Sequence, residues 1–179
     1  MKIPRFTLLF ISLTVTAISF NSCKKDDDGN NSKPIALGSS VTVKNTFQST
    51  AFTGGAEVAI EDLFQVPPNS LAATATVASS VEFPAYLLGL YNINLSENSI
   101  SFTLVAQEGD PTYGELFRTL EAGTFDRYYF TFEDAQNITG FTSSNPSVNL
   151  RIDSNKIVVV EIGEGFMFQP GASFTITLN

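Results

Sequence analysis

The stretch "YNINLSENSISFTL", Tyr91 to Leu104, decides the fold class. Tyr91, Ile93 and Leu95 alternate with Asn92, Asn94 and Ser96, and Ile100, Phe102 and Leu104 alternate with Ser101 and Thr103. A period of two places each apolar set on one face of an extended strand and each polar set on the other. The polar "SENS" at 96–99 joins the two runs as a hairpin connection. Such clean sorting belongs to antiparallel sheets with one buried and one solvated face.

The same pattern recurs outward from this hairpin. Val148, Leu150 and Ile152 alternate with Asn149, Arg151 and Asp153, and "DSNK" at 153–156 reads as a second hairpin turn. Phe174, Ile176 and Leu178 alternate with Ser173, Thr175 and Thr177. Further strands are expected near 41–47, 56–60, 71–78, 124–133 and 157–162. Ile157 to Val160 is continuously apolar, which suits a strand that is central or covered on both faces. Eight or nine short strands at this spacing indicate an all-β, antiparallel β-sandwich of Ig-like or jelly-roll-like kind. One short helix is expected to interrupt it: Asp110 suits its cap, Pro111 its first turn, Leu116, Phe117 and Leu120 share a face, and Gly123 suits its end. An irregular crossover is the alternative. There is no internal repeat and no sign of a second domain.

Upstream of the sheet the composition changes twice. Lys2 and Arg5 precede an uncharged run from Phe6 to Phe20, the pattern of a secretory signal peptide over residues 1–22. The run is shorter than the roughly 20 apolar residues of a spanning helix, and Ser12, Thr14, Thr16 and Ser19 dilute it. The only cysteine of the chain, Cys23, follows Ser22 directly. A lone cysteine in an exported chain has no internal disulfide partner, so it is free, intermolecular or modified. Its placement resembles the acylated cysteine of bacterial lipoproteins. The resemblance implies cleavage between Ser22 and Cys23, a diacylglyceryl thioether on Cys23, and acylation of the new amino terminus by palmitate-type chains. Phe20 and Asn21 depart from the usual aliphatic and small residues of that motif. Lys24, Lys25, Asp26, Asp27 and Asp28 resemble the export signal of surface-exposed outer-membrane lipoproteins of the Bacteroidota, which implies a lipid-anchored position on the outer membrane facing the cell surface.

Several acyl chains hold a protein far more firmly than one. Residues 23–34 read as a lipidated, flexible tether, because "KKDDDGNNSKP" has no apolar residue to bury. A tether of this length spans on the order of 20 Å. The remaining residues, 35–179, suffice for one domain with its own core.

A second resemblance is carried by "TATVASSVEFP" (74–84), "INLSENSISFTL" (93–104), "GTFDRYYFTF" (123–132), "ITGF" (138–141) and "FMFQPGASFTITL" (166–178). These runs are similar to a family of secreted β domains whose better-known examples are uncharacterised proteins carrying C-terminal exosortase-sorting tails. Val81-Glu82-Phe83-Pro84 is the most distinctive piece. The resemblance implies a β domain and an exported location; the expected lipid anchor takes the place of the sorting tail, and no activity, cofactor or site residue is carried over.

Residue inventory excludes much chemistry. The full chain has 10 Lys and Arg against 18 Asp and Glu, a net charge of −8; loss of Lys2 and Arg5 with the signal leaves −10. Nucleic acid is therefore not an expected partner, since phosphate recognition needs clustered cations. The chain has no histidine, which removes imidazole-based triads and metal sites. With Cys23 lipidated no thiol remains for catalysis or metal binding, and no phosphate-binding glycine loop is present. No cofactor is called for.

Carboxylate chemistry survives. Glu108, Asp110 and Glu115 form one acidic group and Asp126, Glu133 and Asp134 another; either could serve a glycosidase, or the first could hold calcium, but incidental surface acids explain both. In "GTFDRYYFTFED", Tyr128, Phe130 and Phe132 are expected inward, with Arg127, Tyr129, Thr131 and Glu133 opposite. An exposed Tyr129 beside Arg127 is a surface that can stack on a sugar ring and bond its hydroxyls; the alternative is that Arg127 lies over Tyr129 or pairs across the sheet with an acid. The chain has no tryptophan, the commoner sugar platform. Phe166-Met167-Phe168 reads as core, with an exposed contact patch as the alternative. The preferred function is a non-enzymatic cell-surface binding or adhesion module for a glycan or protein partner. The alternatives are a structural subunit of an outer-membrane complex and a carboxylate-dependent glycoside hydrolase.

Overall fold

The computed structural model describes residues 33–78, 80–105 and 120–179. The signal segment, Cys23 and the export residues Lys24 to Asp28 lie outside them, as do Glu108, Asp110, Glu115 and most of the expected helix. The chain divides into two units, and the described residues all belong to the second, Ser32–Asn179.

That unit is an antiparallel β-sandwich. In chain order its elements are β1 (Ser40–Gln48), α1 (Thr50–Thr53), β2 (Glu57–Ala59), α2 (Ile60–Phe64), β3 (Ala73–Thr76), β4 (Phe83–Ala85), α3 (Tyr86–Gly89), β5 (Tyr91–Ser96), β6 (Ser99–Leu104), β7 (Phe125–Phe132), β8 (Phe141–Ser143), β9 (Val148–Ser154), β10 (Ile157–Ile162) and β11 (Ser173–Leu178). Sheet A runs β2-β1-β7-β10-β9, with β3 pairing the other half of β1; sheet B runs β4-β5-β6-β11-β8. Both expected hairpins are present: Tyr91 faces Leu104 and Ser96 faces Ser99, while Ile162 faces Val148 and Ile157 faces Ser154.

The inward phases of the two sheets meet in an aromatic core. Phe102 on β6 stacks on Phe174 of β11 (4.8 Å between centroids) and meets Tyr128 of β7, in the opposite sheet, edge-on at 5.0 Å. Tyr91 packs edge-on against both Phe102 and Tyr128. Such pairs add about 0.5–1.5 kcal/mol each beyond the area they bury. Phe166 and Phe168 belong to this core, while Met167 between them is exposed.

The structure departs from strict alternation in instructive places. Ile152 is 39% exposed despite its inward phase. It lies on the edge strand β9, whose register shifts beside it, and a bulge turns an edge away from regular packing. Val159 points outward yet is 1% exposed, in keeping with the continuous apolar run of β10 between two neighbours. The three short helices fall where no helix was expected, in the connections around β2 and β4. Ala85, just before α3, and Leu87 and Leu88 within it hold left-handed backbone angles. Each such residue costs about 1–2 kcal/mol, offset by burial of Tyr86, Leu87 and Leu90.

The Val81–Pro84 motif has a structural job. Glu82 accepts the Ala78 N–H at 2.9 Å and the Leu95 N–H at 2.6 Å, tying the approach to β4 onto β5. Phe83 is buried and its ring meets Tyr86 and Phe130, whereas Val81 is exposed. Glu82→Ala is expected to cost about 1–3 kcal/mol, because it strands two backbone donors, and Val81→Ala under about 0.5 kcal/mol. Urea denaturation of the two variants measures the contrast. Equal stability would refute this account of the motif.

Candidate functional site

The outer face of sheet A gathers the polar chemistry. Because side chains alternate, Phe125, Arg127, Tyr129 and Thr131 of β7 share this face. The register sets Arg127 between Thr46 of β1 and Glu161 of β10. Tyr129 lies between Lys44 of β1 and Val159, and Val159 in turn faces Arg151 of β9. Of the five Lys and Arg among the described residues, Lys44, Arg127 and Arg151 stand on this one face.

Arg127 is the hub. Its Nε donates to Glu161 Oε2 at 2.6 Å, and its Nη1 to Glu57 Oε2 at 3.0 Å and to Gln48 Oε1 at 2.8 Å. The guanidinium sits 4.8 Å from the centroid of the Phe125 ring, a cation–π distance. Its side chain is only 11% exposed. Glu57 also accepts from the hydroxyls of Tyr129 and Thr46, each at 2.6 Å. Burial pushes the Glu57 carboxyl up, but the bonds from Thr46 and Tyr129 and the charges of Arg127 and Arg151 outweigh it and hold it below the usual carboxylate range. Burial raises the Tyr129 phenol, helped by the bond to Glu57 and opposed by Arg151. Arg151 itself pairs with Asp153 at 2.8 Å.

Arg127 and Tyr129 therefore share a face, but the guanidinium is committed to two carboxylates and an amide. The Tyr129 hydroxyl is tied down while its ring stays partly exposed. This network fastens β2, only three residues long, across β1 onto the middle of the sheet.

The second acidic group from the sequence does not assemble. Glu133 and Asp134 are exposed, whereas Asp126 is 1% exposed in the core. The reason is its phase: Asp126 is two residues before Tyr128 and points inward with it. Among the described residues no group of three or more acidic, histidine or cysteine side chains is placed to hold a metal ion.

Lys44, Gln48, Glu57, Arg151 and Glu161 were not singled out by sequence reasoning, since four further strands supply them. Glu161 alone carried a local signal, a charge at the end of an apolar strand. At the sandwich's open edge a cleft of about 340 Å³ is lined by Gln136, Ile138, Ile152, Asn155 and Val158. Its rim is uncharged.

Comparison with protein-family models, curated proteins and solved structures found no match to this chain.

Arg127→Ala is expected to cost about 1–3 kcal/mol, below the full value of a broken buried pair because both carboxylates keep some solvent. Arg127→Lys should restore part of that loss, since one ammonium cannot serve both carboxylates and Gln48 in a plane. Thermal unfolding measures both; an unperturbed Arg127→Ala would show the network to be dispensable.

Proposed function

We propose that the protein is a non-enzymatic, lipid-anchored module on the outer surface of the outer membrane, and that it presents the outer face of sheet A to a glycan. The observation that carries the reading is a partly exposed aromatic ring, Tyr129, held in place by its own hydroxyl and set in a row with Lys44 and Arg151. The Thr42–Thr74 hydroxyl pair lies on the adjoining strands. An aromatic plane ringed by donors and acceptors suits a sugar, which offers an apolar ring face and a hydroxyl edge. The Arg127 network supports this use, because a platform already fixed loses little entropy on binding. The acylation signal at Cys23 and the tether after it support the surface placement.

A second reading, a structural subunit packed against an envelope protein, rests on a different observation. The connection from β1 to β3 carries the exposed apolar side chains Phe52, Leu63 and Val66.

Cys23→Ala should shift the protein from the membrane fraction to the soluble fraction or block its processing; unchanged acylation and attachment would sink the anchor. For the binding face, the full chain is screened on a glycan array and insoluble polysaccharides. A saturable signal lost in Tyr129→Ala and weakened in Tyr129→Phe, which retains the ring but loses the hydroxyl that fixes it, is the expected result. Binding indifferent to Tyr129→Ala would move the site elsewhere. Absence of any hit would favour the structural reading, which cross-linking on intact cells then tests through Phe52.

A further inference from the structure

The inner face of β7 poses a separate problem. Asp126 is fully buried between the sheets, with Asn45 Nδ2 donating to its Oδ1 at 2.5 Å and the Tyr128 hydroxyl donating to its Oδ2 at 2.7 Å. Among the described residues no basic side chain pairs with it. Arg127 is adjacent in sequence but projects from the opposite face and is held there by Glu57 and Glu161.

Around this carboxylate three buried oxygens have no hydrogen bond of good geometry among the described residues: Asn45 Oδ1, Tyr86 Oη and Tyr91 Oη, the last lying near the Tyr128 hydroxyl. Asn45 and Tyr91 are each 1% exposed and Tyr86 is 5% exposed. The atoms belong to one neighbourhood. Tyr86 and Tyr91 pair through a β-bridge, and their rings lie 6.1 and 5.7 Å from that of Tyr128. The Asn45 amide cannot simply flip to satisfy its oxygen, because its Nδ2 is already bonded to Asp126 and, at 3.0 Å, to the Arg127 carbonyl. Its acceptor is aimed by those two bonds. A buried unsatisfied polar atom costs about 1–3 kcal/mol, and a buried unpaired carboxylate more.

We propose that this cluster is a binding site for one alkali cation, ligated by the Asp126 carboxylate, Asn45 Oδ1 and the hydroxyls of Tyr86 and Tyr91. The donor set is all oxygen, which selects a hard cation. It carries one negative charge, which a monovalent ion balances. Calcium prefers six to eight oxygens and usually several carboxylates, more than these four side chains offer. Strands β1 and β7 of sheet A, β5 of sheet B and helix α3 contribute to the cluster, so a bound ion would join both layers of the sandwich.

The test uses the purified full chain at pH 8, with melting followed in NaCl, KCl or choline chloride at equal ionic strength. One alkali salt is expected to raise the melting temperature saturably, by roughly 5–10 °C at a hundredfold excess over its Kd. The rise should vanish in Asp126→Asn and shrink in Tyr91→Phe, which keeps the ring packing should the first variant fold poorly. Equal melting in all three salts would overturn the site and leave the oxygens to internal water. A rise that persists in both variants, or that only CaCl2 produces, would overturn it equally.

Discussion

Strand β7 cannot shift by one residue without exchanging its two faces, and most of the molecule depends on that constraint. Flanked by β1 and β10 along most of its length, it contributes Tyr128, Phe130 and Phe132 to the shared core and Arg127 and Tyr129 to the outer surface. A slip would bury a guanidinium among phenylalanines and expose three aromatic rings. The cost of that exchange, several kcal/mol for the charge alone, pins the register of the whole of sheet A.

The two polar clusters on β7 differ in how their charges are compensated. On the outside, one cation answers two carboxylates that retain some solvent, and the strand spacing itself brings the partners together. On the inside, Asp126 has hydrogen-bond donors but no counter-charge among the described residues, so burial dominates and its proton affinity rises. The outer cluster stabilises geometry, since it holds the short β2 and the Tyr129 ring. The inner one detracts from stability unless a guest or a proton neutralises it. Polar groups placed this close to an aromatic core that joins the sheets are costly to retain, which is why the cluster invites a specific role.

Legibility in the sequence followed the range of the interactions. The β5–β6 and β9–β10 hairpins were readable because both partners of each pair lie within a few residues of the turn. Ile152 misled, since alternation reports a side chain's direction and says nothing of whether a neighbour covers it. The helices were missed because α1 and α3 are single turns made by tertiary contacts; Ala85, Leu87 and Leu88 take left-handed angles that their side chains disfavour. Asp126 could have been found: its phase with Tyr128 already placed it inside.

By itself, then, the sequence determined the fold class and the inward and outward phase of each regular strand, since both rest on spacing along the chain. Only the tertiary structure decided that Arg127 is consumed by Glu57, Glu161 and Gln48 and is not free for a ligand. Only it placed Asn45, Tyr86 and Tyr91 around Asp126. Those encounters join residues from about 34 to 81 positions apart, and which strand lies beside which is set by the packing of two whole sheets. No local pattern encodes that order.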